Sequence, residues 1–342
     1  MKRYLYTLRL SFLLLLIISV TVCKSSNRKQ DNKENIEFLT SKVYLSADSV
    51  SKTVKYNLAV PTRTNGSFPY DLEDPDEKYL LPEYLEEISG LAYYEDDKIL
   101  CVQDEKANIY VFNLAEKEIE NKFIFGKDGD YEDIAVAGQT AYVVRSDGHI
   151  FRIENLHQKN REVIVYKTPL SKKNDTEGIT YDKLSNSLLI ACKGSPSVEH
   201  ENPYKGYKAI YRFDLGEMKL NKEPYFLVDL NRPDNYKDYN LFKEFSLQVA
   251  RKLQFSERAA DFHPSGLAIH PLYNEIYLIS DIGKILIILD RDGRVLDLHG
   301  LDSKILRQPE GICFSPSGDM FIANEGKAGH GYILKFNLQS EE

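Results

Sequence analysis

Cysteine is scarce in this chain, and its placement excludes a disulfide framework. Of the four cysteines, Cys23 closes an apolar N-terminal run, and Cys101, Cys192 and Cys313 each lie in a different apolar segment, as core-packing residues do. No His and Cys spacing resembles a zinc pattern. The chain also has no nucleophile elbow, no phosphate-binding loop and no His-Glu metalloprotease motif, so nothing nominates a catalytic acid, base or nucleophile. Basic clusters with interleaved aromatics are missing too. The leader carries three of the 44 basic residues and none of the 52 acidic ones, so its loss moves the formal charge from −8 to −11. A field of that sign repels polyanions and argues against nucleic acid, whereas it suits cations.

Residues 1–22 combine Lys2, Arg3 and Arg9 with an uncharged run from Leu10 to Val22. That run is short for a membrane span and reads as an export signal. Val20-Thr21-Val22-Cys23 is similar to a bacterial lipobox, although a small residue is usual where Val22 stands. The expectation is a signal peptide of lipoprotein type over 1–22 and lipidation at Cys23. A polar tether over 23–41 and a single large domain over 42–342 would follow. The expected location is therefore the outside of a cell membrane, periplasmic or outer-membrane side, with the protein held there by lipid.

Five segments open with one phrase: SGLAYY at Ser89, EDIAVA at Glu132, EGITYD at Glu177, SGLAIH at Ser265 and EGICFS at Glu310. Their second residues, Gly90, Asp133, Gly178, Gly266 and Gly311, are 43, 45, 88 and 45 apart. Such a period, carried by short apolar runs between turns, belongs to an all-β propeller in which each repeat is one four-stranded blade. Five blades are expected, or six if the long gap hides a divergent one. Blades one to four each offer an outer strand, at Ile119, Val163, Pro224 and Arg294, and the fifth does not. The run TVKYNLAV from Thr53 is the candidate to complete it and so tie the chain ends together. Within the long gap, over about 231–262, Phe242, Phe245, Val249 and Leu253 recur at helical spacing and predict an inserted helix. An edge cap is the plainer role for this helix, and a lid over the channel the alternative.

In a propeller the first strand of each blade lines the central channel, so equivalent residues converge on one axis. The residue before each anchor is Ser89, Glu132, Glu177, Ser265 or Glu310. Three carboxylates and two hydroxyls facing one another need a positive partner. A hard cation fits, and calcium suits oxygens from separate blades better than magnesium does. The ends of the second strands supply the competing explanation. Asp104, Arg145, Lys193 and Asp281 stand there, and Arg145 and Lys193 could neutralise Glu132 and Glu177 as ordinary ion pairs. They could equally hold an anionic ligand group.

The segments EISGLAYYEDDKILCVQDEKANIYVFNL, NDTEGITYDKLSNSLLIACKG, HPSGLAIHPLYNEIYLISDIGKILIILDRDG and QPEGICFSPSGDMFIANEG resemble the SdiA-regulated (YjiK/CarP-type) β-propeller family from about Leu85 to Leu338. The resemblance implies an extracytoplasmic or membrane-associated propeller, linked in some members to calcium and likened to phytases. More distantly, the column before the anchors is similar to that of gluconolactonase-type propellers, which hold metal there. Glu132, Glu177 and Glu310 match that column, Ser89 and Ser265 carry no charge, and Asp133 replaces a glycine. The expected function is a monomeric, membrane-anchored scaffold, binding or signalling propeller that holds calcium in its channel, its partner a protein or a small anionic ligand. The alternatives are a metal-dependent hydrolase, phytase-like or lactonase-like, and a propeller with neither metal nor catalysis.

Overall fold

Short strands of two to seven residues, mostly apolar and bounded by turn residues, pair into five antiparallel sheets, in sequence order but for the outer edges of two of them. This computed structural model describes residues 67–339 apart from 96, 157, 159, 160, 200, 253–261 and 328. Blade one comprises Ile88–Tyr94, Lys98–Gln103, Asn108–Asn113 and Glu118–Ile124. Blade two comprises Tyr131–Ala137, Thr140–Arg145, Ile150–Glu154 and Glu162–Tyr166. Blade three has Thr176–Asp182, Ser187–Cys192 and Lys208–Asp214, and two short strands, Lys219–Leu220 and Phe226–Val228, share its outer edge. Blade four runs Gly266–Ile269, Ile276–Ser280, Ile285–Leu289 and Val295–Gly300.

Blade five is built from both parts of the described chain. Pro309–Phe314, Met320–Asn324 and Tyr332–Phe336 are joined at the edge by Glu77–Leu80, with Tyr79 opposite Ile333. An N-terminal strand therefore closes the ring, as expected, but it is Glu77–Leu80 and not the run from Thr53, which lies outside the described residues along with the leader, Cys23 and the tether. Alternation explains the choice: Tyr79 is buried against Phe112, ring centroids 5.6 Å apart, while Leu80 points outward. Asp76 fixes the join by accepting from the backbone and side-chain amides of Asn337, each at 2.7 Å.

The core is divided into seams between neighbouring blades. Alternate residues of each second strand face opposite neighbours, so Leu100 and Val102 pack toward blade two, while Ile99 and Cys101 pack with Phe321 and Ala323 of blade five. The three cysteines of the described region are buried and free, as core residues should be. Below blades four and five, the fully buried His270 accepts from the backbone amides of Leu272 and Tyr273 at Nδ1. Its proton therefore sits on Nε2, where it meets the Tyr70 hydroxyl at 2.8 Å, and that hydroxyl donates to the Gly318 carbonyl.

The insertion contains the expected helix, Tyr239–Lys252. Leu241, Phe242 and Phe245 pack on the seam between blades three and four, beside Tyr236. Tyr236 in turn bridges Val295 in the outermost strand of blade four, so the helix caps an outer edge. The side chain of Val249, and Leu253, lie outside the described residues. No described helix is long and apolar enough to cross a membrane.

Candidate functional site: an acidic channel mouth

The five inner strands meet around an axis. Together they line a cavity of about 130 Å³ walled by residues such as Leu91, Ile134, Ile179, Leu267 and Ile312. Anchor glycines permit this convergence. A Cβ on Gly90 would stand 2.4 Å from Asp133 Cα, and one on Gly311 would stand 3.0 Å from Gly90 Cα. Blade two has Asp133 at the anchor, and its buried carboxylate uses the same close approach. It accepts from the amides of Ile134 and Ile179 at 2.8 and 2.9 Å, and from the Leu91 amide, so one side chain ties the inner strands of blades one, two and three.

Just before four of the five anchors the ladder slips. In blades one, two, three and five the register shifts between Ile88 and Gly90, Tyr131 and Asp133, Thr176 and Gly178, and Pro309 and Ile312. A bulge re-aims the extra residue out of the pleat, and the residues so placed include Ser89, Glu132, Glu177 and Glu310. The second strands run antiparallel to the first, with Ile88 opposite Gln103 and Thr176 opposite Cys192. The residues following those strands, Asp104, Ser146, Lys193, Asp281 and Glu325, therefore form a second tier at the same end of the channel.

The two serines are spent on structure: Ser89 Oγ donates to the Tyr131 carbonyl and Ser265 Oγ to the Pro309 carbonyl, both at 2.7 Å. The glutamates are electrostatically coupled. Burial, then the charges of Glu177 and Asp130, raise the proton affinity of Glu132. Burial also raises Glu177, which Lys193 pulls partway back through a 2.7 Å contact from Nζ to Oε1. Glu310 is pushed well above the carboxylate range by burial and then by Glu325, Glu177 and Asp281. In the second tier, burial and then Asp104 and Glu87 raise Glu325 to about 7, and burial and then Glu87 raise Asp104 to about 6. Carboxylates from all five blades thus act on one another at one mouth.

Arg145 stands outside this system. It makes a bidentate pair with Asp147, at 2.9 and 2.7 Å, and not with Glu132. Asp281 is paired with Lys284. Lys193 meets the ring at Glu177, and Lys327 acts on Glu325. Burial works against the Lys193 ammonium, but Glu177 and Asp175 outweigh burial and hold its proton more firmly than usual.

Apart from Glu325 of the second tier, three contributors were not among the candidates drawn from the sequence: Glu87, Asp130 and Asp175. Each lies two residues before a column position, Ser89, Glu132 and Glu177 respectively. All three immediately precede the first residue of an inner strand, Ile88, Tyr131 or Thr176, so the repeat carried the signal although strand alternation did not.

The donor chemistry suits a hard cation. The mouth offers oxygen atoms, and Asp104 Oδ1, Gln308 Oε1 and Asn324 Oδ1 are buried there without a hydrogen-bond partner. Among the described residues, however, no three Asp, Glu, His or Cys side chains are grouped so as to hold a metal ion. The carboxylates share a field without forming a ready-made ligand set.

The SdiA-regulated family matches residues 76–328, which take in blades one to four and all of blade five but its strand Tyr332–Phe336. The chain belongs to that family. No curated protein matches this SdiA-regulated propeller. Among solved structures it is similar to the glutaminyl cyclase of Myxococcus xanthus, at 12% identity over 79% of this chain and 97% of that one, with a TM-score of 0.49. It is also similar to a PQQ-bound aldose sugar dehydrogenase of Streptomyces coelicolor, at 11% identity over 77% and 97%, with a TM-score of 0.44. A virginiamycin B lyase of Staphylococcus aureus follows at 11% over 73% and 67%, with a TM-score of 0.40. At such scores none of these likenesses bears on the chemistry of this SdiA-regulated chain.

Proposed function

We propose that this SdiA-regulated protein is a lipid-anchored, extracytoplasmic propeller whose acidic mouth binds a hard cation, calcium fitting best, and which serves as a binding or signalling module. The observation that carries the reading is the gathering of Glu132, Glu177 and Glu310, from three blades, at one mouth where burial and mutual repulsion make each of them seek a positive charge. Oxygen donors from separate blades supply flexible distances, which favours calcium over the small octahedron of magnesium. The anchor rests on the leader and Cys23. Replacing Cys23 with serine is expected to move the chain from the membrane to the soluble fraction, and unchanged fractionation would remove the lipid from the account.

The cation is tested by calorimetric titration of the full-length protein at pH 7 with calcium and with magnesium. Saturable heat with calcium, weaker with magnesium, supports the reading. No heat with either contradicts it.

A further inference from the structure

Lys193 breaks the pattern of its own tier. At the equivalent place blades one, four and five carry Asp104, Asp281 and Glu325, and blade two carries Ser146. Blade three alone presents a cation. Its backbone amide donates to the Asp175 carbonyl at 2.7 Å, which fixes the base of the side chain, and its ammonium reaches Glu177 Oε1 at 2.7 Å. The two partners differ in freedom: the Glu177 side chain is 8% exposed and that of Lys193 is 34% exposed. Glu177 is therefore held nearly buried, whereas the lysine head, on a four-carbon stem, can swing out into water. Its charge also acts on Glu132 and Glu310, the other two acids of the column. Arg145, the other base expected here, is committed to Asp147.

We infer that Lys193 is a tethered counter-ion: it occupies the cation position against Glu177, and an incoming divalent ion binds by driving its ammonium out to solvent. This rests on the cation-binding reading of the mouth and adds what sets its affinity. Departure of the lysine frees Glu177 Oε1 for the ion, and the ammonium neutralises that carboxylate while no ion is bound.

The test compares the full-length wild type with Lys193→Met and Lys193→Arg by calcium calorimetry at pH 7. Removing the competing charge without shortening the side chain is expected to tighten calcium binding about tenfold, while Lys193→Arg stays close to wild type. Equal or weaker binding by Lys193→Met, with the wild type binding, overturns the counter-ion and leaves the cation site standing. Absence of binding in all three overturns both. Because the methionine variant could fold poorly, the wild type is also followed by NMR of the lysine ammonium groups. A Lys193 signal protected from solvent exchange before calcium and exchanging freely after saturation supports displacement, and a signal unchanged at saturation overturns it.

Discussion

At the scale of single residues, the mouth trades stability for charge. Burial and like-charged neighbours raise the folded-state proton affinities of Glu310, Asp104 and Glu325, the last two to about 6 and about 7. An acid held above its unfolded value binds more protons folded than unfolded, so its contribution is fully present below the unfolded pKa and is lost as pH rises through the folded one. For Asp104 the window runs from 3.8 to about 6, and for Glu325 from 4.5 to about 7. The denaturation midpoint of metal-free protein is therefore expected to fall as pH rises from about 4 to about 7, each differing proton contributing up to about 1.4 kcal/mol per pH unit. A midpoint that climbs across that window would mean the acids are already neutralised by partners. The serines of the column show the opposite economy: each hydroxyl is satisfied by a carbonyl of the next blade, so they hold the ring together and leave the charge to the glutamates.

At the scale of elements, the closing strand decides how well the ring resists opening. Tyr79 is 3% exposed, at the centre of the blade five–blade one seam with Phe112 and Ile333. Truncating it to alanine is expected to cost about 3–5 kcal/mol and to hasten proteolysis between residues 67 and 87. Equal stability and protection would show that the edge strand is dispensable. The repeat, the inner strands and the helix were legible from sequence because each writes a period: forty-odd residues for blades, two for strands, 3.6 for the helix. The closing strand was not, because EKYL is four residues long, half charged, and earns its place through one aromatic side chain. The ion pairing was half legible. Lys193 does reach Glu177, but Arg145 turns to Asp147, two residues away, because a guanidinium fork finds a bidentate carboxylate there. Spacing along a strand shows which residues share a side and does not show which of several acids a long base will choose.

At the scale of the whole molecule, five blades bring to one place residues that the sequence spreads from Glu87 to Glu325. Bulges turn the column residues toward the axis, close glycine contacts let the inner strands converge, and Asp133 laces three of them together. The product is a cluster of mutually repelling acids at the mouth of the channel, opposed by the partly exposed Lys193 and by Lys327 beside Glu325. A cation at that mouth would relieve repulsion among several blades at once, so binding should stiffen the assembled ring and not merely one loop. The most direct measurement is the melting temperature of the full-length protein at pH 7 in calcium and in chelator, for the wild type and for Glu310→Gln. Calcium is predicted to raise the wild-type value by several degrees and to raise that of Glu310→Gln much less, with the variant the more stable of the two in chelator. Melting temperatures indifferent to calcium in both proteins would contradict a cation site and leave the mouth as an ion-pair network alone.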